Sequence, residues 1–242
     1  MKRYKPREWE LWSLVNGVTN QRGERRFRRI LLSGARGTGK TTAGMKAGAV
    51  YSVTLHEESS VTELIGHWVP QGQAFTWHDG VMTRAWKEGS GVVINEIDKA
   101  SGSVLTQLYA FLDDPEVARL TLPNGETIRP REGFFVVATM NGEWEDIPLP
   151  LLDRFDIRLR VRAPHPDAVE KLEPQFRELV VGAYSVDDPV ITYREVLAFQ
   201  QLSEALGQSE VAAEIVFGER ANDVLNSLRI GQREEGTEEG EE

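Results

Sequence analysis

The chain has no cysteine among its 242 residues. That absence excludes disulfides, thiolate metal sites and cysteine nucleophiles, and it suits a reducing cytosol. Long apolar runs are missing too, and no segment approaches the ~20 residues a membrane-spanning helix needs. The opening Met-Lys-Arg-Tyr-Lys-Pro-Arg-Glu-Trp-Glu lacks the apolar stretch of a signal peptide. The expectation is a cytoplasmic protein with no membrane span. An excess of positive charge is also lacking: 28 Lys and Arg face 38 Asp and Glu, for a net charge of -10. Sequence-independent binding along phosphate backbones is therefore disfavoured, and nucleic acid is not the expected partner. The charge is uneven, with basic stretches at 2–8 and 22–29 and six glutamates in 234–242, which reads as a disordered, solubilising tail. His67 and His78 have no carboxylates at ligand spacing, so no metal site is expected there. No internal repeat is visible.

What is present begins with Ile30-Leu31-Leu32-Ser33-Gly34-Ala35-Arg36-Gly37-Thr38-Gly39-Lys40-Thr41-Thr42. An apolar, strand-like run breaks into a glycine-rich loop and then into a helix-forming segment. Gly34-x-x-x-x-Gly39-Lys40-Thr41 has phosphate-loop spacing, in which backbone N–H groups surround the phosphates and the following helix presents its positive end. Glycine is needed because side chains would block that approach. Lys40 is placed to reach the β- and γ-phosphates as a point charge. The Thr41 hydroxyl is placed to ligate Mg²⁺, an ion that takes few protein ligands and keeps its waters. Thr42 repeats the hydroxyl. Four fixed positions arise by chance in a chain of this size roughly one time in a hundred. The flanking strand and helix make the nucleotide-binding reading stronger.

A helix is expected over 8–16, ended by Gly17 and Asn20, with strand one at 28–33, a helix at 41–50 and strand two at 51–55. A short helix at 59–66 precedes the aromatic stretch His67-Trp68-Val69-Pro70-Gln71-Gly72-Gln73-Ala74-Phe75-Thr76-Trp77-His78-Asp79-Gly80, read as a hairpin or loop before a helix at 81–88. Its aromatics serve equally well as a contact surface or as packing within their own domain. Gly91-Val92-Val93-Ile94-Asn95-Glu96 and Phe134-Phe135-Val136-Val137-Ala138-Thr139-Met140-Asn141 are apolar runs ending in polar residues, the pattern of buried parallel strands whose tips carry chemistry. Between them lie an amphipathic helix at 101–113 and a hairpin turned at Asn124-Gly125. A last strand spans 157–161. Past Pro164 and Pro166 only helical periodicity remains, at 167–181, 192–206, 209–216 and 219–229. The expected organisation is an α/β nucleotide-binding domain over 1–163, a small helical lid domain over 164–230 and an acidic tail over 231–242.

A nucleotide hydrolase needs a carboxylate to orient water, a sensor of the γ-phosphate and positive charge for the transition state. Glu96, at the tip of one strand, is the candidate for polarising water. Asn141, at the tip of the next, could bond both that water and the γ-phosphate. Arg154, ahead of the last strand, could serve as a finger toward a neighbouring subunit, and Arg194, on the helix capped by Thr192 and Glu195, could reach phosphate. Any single arginine is more often a solvated side chain or a surface ion pair.

In order and content, Gly34 to Thr41, Ile94-Asn95-Glu96-Ile97, Ala138-Thr139-Met140-Asn141 and Leu152-Asp153-Arg154-Phe155 resemble AAA+ ATPases, most closely the MoxR and dynein-related group, over about residues 28–230. The resemblance implies a P-loop NTPase fold, α/β, with a parallel five-stranded sheet in the order 5-1-4-3-2 and a C-terminal helical lid. It also implies ATP and Mg²⁺ as cofactors and a homo-oligomeric, usually hexameric, ring. By it, Gly34, Ala35, Arg36, Gly37, Thr38, Gly39, Lys40, Thr41 and Thr42 bind nucleotide and Glu96 is the Walker B glutamate. Asn141 is sensor 1, Arg154 the arginine finger and Arg194 sensor 2. It implies a chaperone or remodelling role on a protein client, such as a von Willebrand A-domain protein, with the segments at 66–80 and 117–129 facing the pore.

One departure stands out. The Walker B aspartate is Asn95, which places a neutral amide behind Thr41 at the Mg²⁺ site and leads to an expectation of weaker Mg²⁺ affinity and slow turnover. Asp98 is a candidate to compensate. Beside the remodelling ATPase stand two other readings: a nucleotide-gated scaffold with weak hydrolysis because of Asn95, and a small-molecule P-loop kinase, which the helical C-terminal region and the position of Arg154 speak against.

Overall fold

The computed structural model describes residues 4–185 and 189–228; the acidic tail expected over 231–242 lies outside them. The chain divides into two compact units, one comprising 10–34 and 40–160, the other 4–9, 35–39 and 161–228. Helix α1 (Arg7–Gly17) contributes to both.

In chain order the first unit contains β1 (Arg29–Gly34), α2 (Lys40–Lys46), β2 (Ala49–Thr54), α3 (Val61–Ile65), the hairpin β3 (Gly66–Gln71) and β4 (Ala74–Asp79), and α4 (Val81–Glu88). There follow β5 (Gly91–Asn95), α5 (Gly102–Phe111), a small hairpin β6 (Leu120–Thr121) and β7 (Thr127–Ile128), β8 (Phe135–Thr139), α6 (Leu149–Leu152) and β9 (Ile157–Val161). The main sheet has the order β2-β5-β8-β1-β9, the expected 5-1-4-3-2 read from its other edge. The pairs β1/β8, β8/β5 and β5/β2 are parallel. Every residue of β5 and β8 is buried, because helices cover both faces of an inner parallel strand and leave no side for polar alternation. The core of this unit centres on Trp86, with Phe111 and Phe134 edge-on to it at 4.8 and 6.1 Å. Asp156 steadies the start of β1: its Oδ2 accepts the N–H groups of Arg28 and Arg29 at 2.9 and 3.0 Å.

Helix α2 lies close on the sheet through Gly44, where a Cβ would come within 2.7 Å of Val93 Cγ2 and 3.2 Å of Val137. It is shorter than the expected 41–50. Gly48, at φ +99, turns the chain after Lys46, and Ala49 and Val50 join the edge strand β2. The aromatic stretch is a hairpin with unbroken register from Gly66↔Asp79 to Gln71↔Ala74. Its aromatics divide between the two readings: Trp77 packs against the core, while Trp68 and Phe75 remain 48% and 67% exposed.

The second unit is helical: α7 (Pro166–Val169), α8 (Pro174–Ala183), α9 (Tyr193–Leu206), α10 (Ser209–Phe217) and a further helical stretch at 221–228. The single helix expected over 167–181 is two, since Pro174 has no N–H to continue a helix and instead starts α8. Phe199 sits between Phe176 and Phe217, ring centroids 5.5 and 5.3 Å away. Thr192 and Glu195 form the capping box that opens α9, and Gly207, at φ +64, ends it. Among the described residues no helix is long and apolar enough to cross a membrane.

The contact at Gly44 is testable by filling it. Gly44→Val should overpack α2 against Val93 and Val137 and cost about 1–3 kcal/mol, read as a lower urea midpoint with an unchanged m-value.

Candidate nucleotide-binding site

The register of the sheet brings the chemistry together. Leu32 is opposite Thr139 and Ile94 opposite Ala138, so β8 and β5 finish at one level while β1 runs two residues further to Gly34. Polar residues just past those ends therefore meet, as ligand sites do in open α/β sheets. Lys40 Nζ donates to Gly34 O at 2.8 Å and to Asn141 Oδ1 at 3.0 Å. Asn141 Nδ2 donates in turn to Glu96 Oε1 at 2.7 Å. The amide is oriented by its neighbours, oxygen to the ammonium and nitrogen to the carboxylate. Thus Lys40, Asn141 and Glu96 form one hydrogen-bonded chain.

Glu96 is the only described non-glycine residue with positive φ, at 55°. Left-handed backbone at a bulky residue costs about 1–3 kcal/mol and concentrates at functional sites. Here it marks the point where β5 turns into the single 3₁₀ turn Ile97–Lys99.

Thr41, at the start of α2, donates from Oγ1 to Asn95 Oδ1 at 2.6 Å. Thr139 Oγ1 donates to the same oxygen at 3.2 Å, while Asn95 Nδ2 donates to Ser52 Oγ at 3.0 Å and Val53 O at 3.4 Å. Both ends of this buried amide are in use. An aspartate here would turn a second carboxylate oxygen toward the Val53 carbonyl, which explains physically how asparagine is accommodated. Asp98 does not act as a substitute at Thr41: its side chain is fully buried and its Oδ2 lies 3.0 Å from Lys99 Nζ. The donor set, a threonine hydroxyl and a neutral amide oxygen, fits a Mg²⁺ ion that keeps several waters and takes phosphate oxygens. It does not fit an all-protein metal cage, and among the described residues no group of three or more His, Asp or Glu could form one.

The loop between β1 and α2 has positive φ at Gly34, Gly37 and Gly39. Its middle, Ala35–Gly39, groups with the helical unit. There Thr38 Oγ1 donates to Ala35 O at 3.0 Å, and Thr38 O accepts the N–H of His165 at 3.0 Å. Tyr184 Oη donates to Arg36 O at 2.6 Å and accepts the N–H of Tyr193 at 3.2 Å. Arg36 and Thr42 have exposed side chains. Arg194 is exposed one residue into α9, and its charge acts on the Tyr184 phenol.

Arg154 follows α6. It does not join the Lys40–Asn141–Glu96 chain: its Nε donates to Asp113 Oδ1 at 2.8 Å, its Nη1 to Pro150 O at 2.6 Å, and its guanidinium covers the Tyr109 ring at 4.9 Å. Sequence reasoning overlooked Thr139, Ser52, Asp113 and Tyr184 as partners of the site residues. Thr139 lies inside a recognised motif and could have been found; the other three have no sequence signal.

The sequence profile of the AAA domain (dynein-related subfamily) matches residues 29–155. Protein NorQ of Paracoccus denitrificans is 32% identical over 123 residues, 49% of this chain and 45% of that protein. The denitrification regulatory protein NirQ of Stutzerimonas stutzeri is 26% identical over 123 residues, 49% of this chain and 44% of NirQ. Midasin of Dictyostelium discoideum is 31% identical over 149 residues, 55% of this chain but 2% of midasin. The chain thus spans about half the length of NorQ and NirQ. With just over half of its residues inside that profile and the strand order its motifs imply, the chain belongs to the AAA domain family, in the dynein-related subfamily.

Proposed function

We propose that the chain is an ATP-hydrolysing, MoxR-like AAA+ ATPase that works as an oligomeric ring, with six subunits the expected number, to remodel a protein partner in the cytoplasm. The observation that carries this reading is the Lys40–Asn141–Glu96 hydrogen-bonded chain at the strand tips beside the phosphate loop. Its ends are the two groups hydrolysis needs: a cation for the phosphates and a carboxylate for the attacking water. Lys40 exchanges Asn141 for phosphate oxygens when nucleotide enters, and Asn141 is then available to the γ-phosphate. Glu96 takes up the water's hydrogen bond from an already fixed backbone. Thr41, with Asn95 behind it, would hold Mg²⁺, which neutralises charge on the phosphates when bound.

Arg154 is assigned to a neighbouring subunit's nucleotide. The support is its position at the end of the α/β unit and its half-buried clasp with Asp113, an ion pair with enough solvent access to exchange. The exposed Trp68 and Phe75 of the β3–β4 hairpin are the contact offered to the client. A von Willebrand A-domain protein is the partner class the resemblance implies.

Three measurements test this. Glu96→Gln should leave ATP affinity within about threefold and lower turnover by roughly 10²-fold or more; an unchanged rate removes Glu96 from the mechanism. Asn95→Asp should lower the Mg²⁺ concentration for half-maximal activity severalfold, at a stability cost of about 1 kcal/mol from the oxygen facing Val53 O. Identical Mg²⁺ curves would show the amide to be no handicap. Arg154→Ala should lose activity yet recover part of it when mixed with Lys40→Ala, because each supplies the half the other lacks. Failure of the mixture to recover any activity rules out a shared site.

A further inference from the structure

The phosphate loop is usually explained from its own glycines. Here a side chain far along the sequence meets it. Tyr184 follows α8, is 6% exposed, and belongs to the apolar core of the helical unit with Phe176, Val180 and Phe199. Its ring is therefore held by packing, and its hydroxyl has a fixed position. That hydroxyl makes two bonds, donating to Arg36 O at 2.6 Å and accepting from Tyr193 N–H at 3.2 Å. Tyr193 is the first residue of α9, where backbone N–H groups have no partner within the helix. The cap residue Thr192 serves the N–H of Glu195 and leaves that of Tyr193 to Tyr184.

In a trans peptide the C=O and the next N–H point in opposite directions. Holding Arg36 O toward Tyr184 therefore aims the N–H of Gly37 away from it, the direction a phosphate-binding amide needs. Gly37 shows how tight the fit is: a Cβ there would come within 2.9 Å of Tyr184 Oη and 3.7 Å of Thr192 Cβ and Tyr193 N, and its φ is +74. Glycine at 37 thus makes room for the tyrosine hydroxyl. Burial raises the pKa of the phenol, so it keeps the proton that it donates to Arg36 O.

We propose that Tyr184 is a positioning residue: its hydroxyl presets the Arg36–Gly37 peptide for phosphate and ties that peptide to the start of α9, the helix that carries Arg194. Nucleotide in the loop and the setting of Arg194 are then linked through one oxygen. The inference rests on the nucleotide-binding reading above and adds a residue to it.

Tyr184→Phe keeps the ring and removes the hydroxyl. With Mg²⁺ and the slowly hydrolysed analogue ATPγS as probe, the dissociation constant should rise about tenfold, the effect expected from leaving a preset peptide unheld. Amide hydrogen exchange at Tyr193 should become faster in the nucleotide-free protein. Gly37→Ala should weaken ATPγS binding in the parent and weaken it less, by at least about threefold, in the Tyr184→Phe background, because the contact with Oη is gone. Equal affinities for parent and Tyr184→Phe, or two losses that simply multiply, overturn the proposal. A parent with no affinity for ATPγS sinks the nucleotide reading instead, and the Tyr193 exchange rate then still decides whether the hydroxyl holds α9. Should Tyr184→Phe not fold, Gly37→Ala alone must displace the hydroxyl and speed Tyr193 exchange; slow exchange there overturns the proposal.

Discussion

The parallel register of β1, β8 and β5 is the constraint from which the candidate site follows. Parallel register places Leu32 beside Thr139 and Ile94 beside Ala138, and Glu96 and Asn141, just past β5 and β8, meet in a hydrogen bond. Lys40, Asn141 and Glu96 come from sequence positions 45 or more residues apart, and only the sheet makes them neighbours. Every residue of β5 and β8 is buried, so the frame that carries these tips lies inside the apolar interior.

Around this frame the polar atoms are nearly all spoken for. Asn141 is bonded at both ends of its amide, and so is Asn95. The four partners of the Asn95 amide favour this orientation, because turning it over would set its oxygen against the Val53 carbonyl. The asparagine that departs from the family pattern is therefore integrated into this particular surround, with Ser52 and Val53 taking its nitrogen. The backbone of Glu96 belongs to the same picture: at φ 55° it lies where β5 ends and the Ile97–Lys99 turn begins, and its Oε1 accepts from Asn141 Nδ2.

Much of this was legible in the sequence because it rests on local pattern. Glycine spacing marked the phosphate loop, unbroken apolar runs marked β5 and β8, and the polar residue ending each run marked Asn95, Glu96 and Asn141. The sheet order came from the resemblance those motifs carry. Boundaries read less well: Gly48 ends α2 earlier than alanine-rich periodicity suggests, and Pro174 divides one expected helix into two. Pairings across long sequence distances were legible only where motifs carried them, as for Thr41 with Asn95. Nothing near residue 184 announces that a tyrosine there holds the carbonyl of Arg36, and nothing near residue 113 announces a partner for Arg154.

That last pairing has a consequence for energetics. A guanidinium extended into solvent would gain its whole attraction on meeting an anion. Arg154 instead begins docked on Asp113, the Pro150 carbonyl and the Tyr109 ring, so any new anionic partner gains only the difference between two solvated settings. Because solvent-accessible ion pairs are worth about 0–1 kcal/mol and this one is half-buried, the toll is small. Its effect is selective all the same: a weak or badly aimed anion leaves the arginine where it is, and only a strong, well-placed one draws it away.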